Sequence, residues 1–167
     1  MKKYLIEFVY GATDGTVTTF AIIAGTIGAN LDPVIVLLLG ISNVFADGFS
    51  MAASDFLSER AGKDLEGKST SIRKPLFSAA ATFSAFVIVG CIPLLPFIIA
   101  EFVDALKPHS FAVALVATSI AFICIGSIRG AVTKTSILKS ALETLVIGGV
   151  AAFIAYGVGS LVSTLVG

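Results

Sequence analysis

The stretch ADGFSMAASDF, residues 46–56, places polar side chains at regular steps inside a long apolar run. Asp47, Met51 and Asp55 follow one another at intervals of four residues, and Asn43 lies one further step back. A helix turns by about 100° per residue, so residues four apart drift by only about 40° and share one face. The pattern predicts a helix that is mostly apolar but carries one acidic stripe.

The composition around this stretch is typical of a membrane protein. Of the 167 residues, 56% are hydrophobic and only 13% are charged, and the mean hydropathy is +1.00. Soluble domains carry about 25% charged residues. A membrane helix needs about 20 mostly apolar residues, so the chain has room for roughly five spans and short loops. We therefore predict an all-α membrane protein with one transmembrane domain, residues 1–167.

Turn residues and polar segments divide the chain into five predicted spans. An Asn-Leu-Asp-Pro turn separates the first span from the second, and the polar segment 60–74 separates the second from the third. Gly90, Pro93 and Pro96 interrupt the third apolar run, and we expect its helix to kink or end there. The predicted spans are residues 4–30, 33–59, 75–100, 111–128 and 141–166.

Basic residues are distributed unequally between the two sides that these spans define. Of the 11 Lys and Arg residues, only Lys107 falls on the side opposite the N-terminus. Cytoplasmic loops carry an excess of Lys and Arg, so the N-terminus and the segment 60–74 are predicted to be cytoplasmic. The short loops and the lack of a targeting segment favour a multi-pass protein of a prokaryotic plasma membrane.

Carboxylates inside the predicted spans indicate ion transport. Asp14 lies in the first span at a depth comparable to that of the second-span acids, because the second span runs back toward the cytoplasm. A central acid costs roughly 2.5–3.5 kcal/mol in lipid, so it usually faces a bundle interior or a water-filled path. No Lys or Arg lies within a predicted span, which leaves protons, water, helix dipoles or a cation as partners. Protonated acids that only join helices are the structural alternative.

The predicted metal site combines carboxylates with one thioether. Oxygen ligands suit Mg²⁺, Ca²⁺ and Mn²⁺, whereas the sulfur of Met51 favours a later transition metal such as Fe²⁺. Met51 could also serve packing alone. Glu59 and Glu143, near the predicted cytoplasmic ends of their spans, are candidates for the entrance. No cofactor is expected, because the metal is the substrate. The predicted metal ligands are Asp14, Asn43, Asp47, Met51 and Asp55.

Small residues at intervals of four indicate close helix packing. On the first span Gly11 and Gly15 are four apart, as are Ala21, Gly25 and Ala29. The fifth span carries Gly148, Gly149, Gly157 and Gly159. Small side chains let helix backbones approach closely in lipid. The spacing fits packing inside one bundle and fits a homodimer interface equally well.

Other functional classes fit the sequence less well. The formal net charge is zero, and the polar segments are too short to bind nucleic acid. An intramembrane aspartyl protease needs a Gly-x-Gly-Asp context, which neither Asp14 nor Asp47 has. A noncatalytic membrane subunit remains an alternative, although it gives no reason for the acids in the spans. We do not expect an enzyme.

Four segments resemble the vacuolar iron transporter family. They are DGTVTTFAIIAGTIGA (14–29), ADGFSMAASDFLS (46–58), GCIPLLPF (90–97) and IGSIRGAVTKTSILKSALETLVIGGVAAFIAYGVG (125–159). The resemblance implies a five-span homodimer that moves Fe²⁺, in some members Mn²⁺, out of the cytosol in exchange for protons. It also implies that Asp14, Met51 and Asp55 belong to the ion path. Asp55 stands where many members have Glu, with Ser54 in place of Gly.

The segment 60–74 is short compared with many eukaryotic members of that family, which carry a long Glu-rich cytosolic domain at this point. The chain is therefore expected to be a short member without that metal-binding domain. Its expected function is Fe²⁺ export from the cytoplasm by metal/proton antiport, with Mn²⁺ transport on the same architecture as the alternative.

The predicted topology places residues 69 and 167 on opposite sides of the membrane. In a background in which Cys91 and Cys124 are replaced by Ala, we expect Ser69→Cys to react with an impermeant maleimide from the cytoplasmic side only. Gly167→Cys should react only from the other side. Labelling of both from one side would contradict the five-span arrangement.

Overall fold

The computed structural model describes residues 2–65, 67 and 71–166, and it describes side chains from residue 5 onward. Ser69 and Gly167, which the labelling prediction above involves, lie outside the described residues. The described part of the chain is all-helical and contains no strand. Its α-helices are α1 (Lys2–Gly28), α2 (Pro33–Leu65), α3 (Arg73–Gly90), α4 (Leu95–Ala100), α5 (Ser110–Thr133) and α6 (Ile137–Val166).

Four helical segments are long and apolar enough to cross a membrane. They are Pro33–Leu65, Arg73–Ala100, Asp104–Thr133 and Ile137–Val166, within the described residues. The chain is therefore a multi-pass membrane protein by length and composition. The 27-residue helix α1 is not among these four, so its passage through the membrane, and with it the five-span topology, stays a prediction.

Helix α1 is surrounded by the other long helices of the bundle. It packs against α2, α3, α5 and α6, so neighbouring helices cover much of its surface. Thr16 and Thr26 are buried on it, and their hydroxyls donate to the carbonyl oxygens of Ala12 and Ile22 at 2.7 and 2.9 Å. Hydroxyls bonded back to their own helix can lie in a helical core.

Both breaks that the sequence predicted are confirmed. The third apolar run forms α3 up to Gly90, a 3₁₀ turn over Ile92–Leu94, and then α4. Proline has no amide hydrogen and interrupts the regular hydrogen bonding. Between α1 and α2, the Oδ1 atom of Asp32 accepts a hydrogen bond from the Val34 amide at 2.9 Å, which caps the start of α2.

Several helices extend beyond the predicted spans. Helix α2 continues to Leu65 instead of residue 59, α5 continues to Thr133 instead of residue 128, and α6 begins at Ile137 instead of residue 141. Lys, Arg and Glu are good helix formers, so the charged ends continue the helices past the apolar segments. Arg129 consequently lies within α5.

Glycines on α1 and α6 pack within the protomer. A Cβ atom on Gly11 would collide with the carbonyl of Thr82 on α3, and one on Gly159 would collide with the carbonyl of Gly25 on α1. These glycines therefore allow close helix contacts inside one bundle, one of the two explanations that the sequence left open. Gly149, by contrast, has open space beside it. The homodimer stays a prediction.

The two glycine environments on α6 predict opposite responses to one added methyl group. Gly159→Ala should destabilise the protein by about 1–3 kcal/mol, because the new Cβ forces α6 away from α1. Gly149→Ala, the matched control on the same helix, should not destabilise it. Thermal unfolding in detergent measures both, and equal midpoints for the two variants would contradict the packing.

Candidate functional site

Two of the predicted site acids are neighbours across the contact between α1 and α2. The carboxyl groups of Asp14 and Asp47 lie close enough to repel each other electrostatically, and their helices pack directly. Asp14 is half-buried, whereas Asp47 is exposed on the surface of the protomer. We call these two residues the acidic pair. A dication or shared protons would relieve the repulsion between them.

A single phenylalanine of α3 lies against the residues that follow both members of the acidic pair. A Cβ atom on Gly15 would lie 3.0 Å from Cγ of Phe86, and one on Gly48 would lie 3.2 Å from its Cδ1. Phe86 itself is fully buried. Because each Asp directly precedes one of these glycines, the packing of the ring fixes both acids relative to α3.

Asp55, the third predicted acid, forms a hydrogen bond with α3. Thr82 on α3, which is fully buried, donates its hydroxyl to Oδ2 of Asp55 at 3.2 Å. Asp55 follows Asp47 by eight residues, which is a rise of about 12 Å along a helix. Among the described residues, no group of three or more His, Cys, Asp or Glu side chains could hold a metal ion. One protomer therefore brings together two of the three acids.

The neutral members of the predicted site lie on α2, one turn to either side of Asp47. Met51 and Asn43 are both half-buried. The side-chain Nδ2 of Asn43 is enclosed and has no hydrogen-bond partner in the described part of the structure. A buried donor without a partner costs about 1–3 kcal/mol. Asn43 therefore offers unused hydrogen-bonding capacity beside the acidic pair. Metal binding by any of these side chains stays a prediction.

Both candidates for the entrance form ion pairs. Oε1 of Glu59 lies 2.9 Å from Nζ of Lys63 on the next turn of α2. Glu143 on α6 lies 2.5 Å from Arg129 on α5, and its other oxygen lies 4.0 Å from Lys139. A cation entering at either carboxylate would compete with these basic partners. Their role as an entrance stays a prediction.

Three side chains important for this arrangement were not identified from the sequence. Phe86 and Thr82 belong to the apolar third run, and Arg129 lies one residue beyond the predicted fourth span. One available signal was the repeated Asp-Gly pair at 14–15 and 47–48, since a glycine beside a membrane acid indicates close helix contact at that point. No comparable signal marked Thr82.

Comparison with known proteins agrees with the resemblance noted above. The VIT family model matches residues 5–74 and 67–160. The vacuolar iron transporter of Toxoplasma gondii is 27% identical over 99% of this chain and 76% of its own length. Vacuolar iron transporter homolog 4 of Arabidopsis thaliana is 28% identical over 97% of this chain and 85% of its own length.

A shorter match is more similar in sequence. The vacuolar iron transporter of Plasmodium berghei is 40% identical over 38% of this chain, and the match covers only 23% of that relative's length. The family model covers most of the sequence and includes all the predicted site residues. The chain belongs to the VIT family.

Proposed function

We propose that this protein exports a divalent metal from the cytoplasm in exchange for protons, with Fe²⁺ as the substrate and Mn²⁺ as the alternative. The observation that carries the proposal is the acidic pair, two aspartates on packed helices that are each followed by a glycine against the ring of Phe86. The names of the relatives, which include vacuolar iron transporters, support a metal ion as the substrate class. The VIT family is a family of transporters, in agreement with a protein that is not an enzyme.

Proton coupling follows from the chemistry of the acidic pair. Two nearby carboxylates in a membrane favour protonation, because burial and mutual repulsion both oppose two negative charges. A dication can replace the protons, since it neutralises both carboxylates. Metal and protons therefore compete for the same oxygens, and a proton gradient would drive release of the metal on the far side. Met51 would add a soft sulfur ligand.

The exposure of Asp47 supports a homodimer as the transporting form. A carboxylate on the lipid-facing surface of a single protomer would cost roughly 2.5–3.5 kcal/mol at the centre of the membrane. A second copy of the chain over this face of α2 would remove Asp47 from lipid. It would also double the number of carboxylates near the path, which matters because one protomer brings only two acids together. The proposed location is a prokaryotic plasma membrane.

Transport assays in proteoliposomes test the proposed function. Purified protein should carry Fe²⁺ across the membrane at a rate that depends on an imposed pH gradient, and each metal ion moved should be accompanied by counter-movement of protons. Metal flux without proton flux would reject the antiport. No flux of Fe²⁺ or Mn²⁺ at any gradient would favour a noncatalytic membrane subunit.

Removal of charge from one member of the acidic pair should stop transport. We expect Asp14→Asn to lower Fe²⁺ flux to the level of empty vesicles with an unchanged unfolding midpoint, because the substitution removes charge at nearly constant volume. Asp32→Asn is the matched control. Asn also caps helices well, so this variant should transport normally. Full activity of Asp14→Asn would exclude the proposed role.

Replacement of the thioether tests the preference between metals. Met51→Leu keeps nearly the same volume and should cost less than about 1.5 kcal/mol in stability. Without the sulfur, transport of Fe²⁺ relative to Mn²⁺ should fall several-fold, because Mn²⁺ depends more on oxygen ligands. The ratio of initial rates for the two metals measures the effect. An unchanged ratio would assign Met51 to packing.

A further inference from the structure

A polar pocket lies where α5 ends and α6 begins, away from the acidic pair. It has a volume of about 300 Å³ and is lined by two basic side chains, four hydroxyls and one carboxylate. The proposed transport mechanism does not use it beyond the suggested role of Glu143 as an entrance. Its chemistry is that of a site for a phosphate group, because cationic and hydroxyl donors both bind phosphate oxygens.

The turn between the two helices builds a row of hydroxyls into this pocket. Lys134 adopts a left-handed conformation with φ of 57°, and the amide of Thr135 donates to the carbonyl of Gly130 at 3.0 Å. This tight turn brings the Thr133 and Thr135 hydroxyls within 2.8 Å of each other. The hydroxyl of Thr135 in turn lies 3.2 Å from that of Ser140. The row is thus held by the backbone of the turn.

The charges around the pocket favour an anion. Arg129 and Lys139 together outweigh Glu143 by one positive charge, and Lys134 lies in the adjoining turn. Glu143 contacts one terminal nitrogen of Arg129, and a guanidinium carries five N–H donors. Lys139 is held only loosely, at 4.0 Å from Glu143 with its side chain 78% exposed. The same terminal nitrogen of Arg129 donates to the carbonyl of Ser140, and the Thr133 hydroxyl donates to the carbonyl of Arg129. The other N–H groups of Arg129 and the ammonium of Lys139 can therefore donate to a phosphate.

Two apolar grooves adjoin the pocket on its two sides. One groove is a shallow face of α6 that shares Ser136, Lys139 and Glu143 with the pocket and continues along Leu142 and Val146. The other groove, of about 360 Å³, shares Arg129 with the pocket and continues along apolar side chains of α1 and α5. A polar pocket from which two apolar grooves diverge has the layout of a phosphate headgroup with two acyl chains.

We propose that this pocket binds one anionic glycerophospholipid, with its phosphate against Lys139 and the hydroxyl row and with one acyl chain in each groove. The net positive charge of the pocket attracts an anionic headgroup more strongly than a zwitterionic one. The pocket should therefore bind anionic lipids selectively, unlike the apolar surface along α6. Basic pockets between membrane helices bind anionic headgroups in this way. The bound lipid would join the ends of α1, α5 and α6.

Lipid titration of the full-length protein in a neutral detergent tests the proposal. Native mass spectrometry should detect phosphatidylglycerol binding at least tenfold more tightly than phosphatidylcholine with identical acyl chains. Lys139→Gln should reduce this preference at least fivefold. Lys107→Gln is the matched control, because Lys107 is also an exposed lysine in an ion pair, with Asp104 at the other end of the bundle, and it should leave the preference unchanged.

Soluble headgroup distinguishes a lipid site from a simple phosphate site. Glycerol 3-phosphate has the phosphate but no acyl chains, so it should compete at least 100-fold less well than phosphatidylglycerol. Equal binding of the two lipids would overturn the proposal, as would an unchanged preference in Lys139→Gln. Competition by glycerol 3-phosphate at the same concentration as the lipid would also overturn it, because the grooves would then contribute nothing.

Discussion

The packing of Phe86 between two glycines is the contact on which the arrangement of the site depends. Gly15 of α1 and Gly48 of α2 both lie against this buried ring of α3, and each directly follows an aspartate. Side chains larger than hydrogen at these glycines would separate the helices. Close packing of this ring therefore sets the spacing of the two helix segments that carry Asp14 and Asp47.

The central position of α1 allows this helix to carry polar residues. A helix covered by four neighbours has little contact with lipid and can carry threonines and an aspartate. Lipid-facing helices have no such freedom, because each polar group in lipid is costly. The ion path that we propose therefore follows a helix that its neighbours cover, and the glycines of α1 allow those neighbours to pack closely.

The acidic pair and the ion pair of Arg129 with Glu143 lie in different parts of the protein. Asp14 and Asp47 lie on α1 and α2, whereas Arg129 and Glu143 lie where α5 meets α6. Positive charge at that end agrees with the predicted cytoplasmic side and supplies the donors of the proposed lipid pocket. A lipid held there would connect helices that flank the ion path, so membrane composition could affect transport without any contact with the metal.

Local properties of the sequence determined the class of protein and most of its helices. Hydropathy indicates membrane segments, prolines end helices, and an Asp-Pro turn starts one, because each depends only on residues that are near in the chain. The predicted helix breaks at 30–33 and 90–96 were confirmed for this reason. The family could also be identified, since its motifs are continuous segments.

Only the tertiary structure decided which site residues meet. The stripe on α2 placed Asp47 and Asp55 on one face, but Asp47 lies beside Asp14 whereas Asp55 accepts a hydrogen bond from Thr82. The glycines of α1, whose spacing allowed two explanations, pack against α3 and α6 of the same chain. The pairing of Arg129 with Glu143 joins residues 14 positions apart on different helices. Each of these contacts depends on which helix faces are turned toward each other, and side-chain periodicity within one helix does not specify its neighbour.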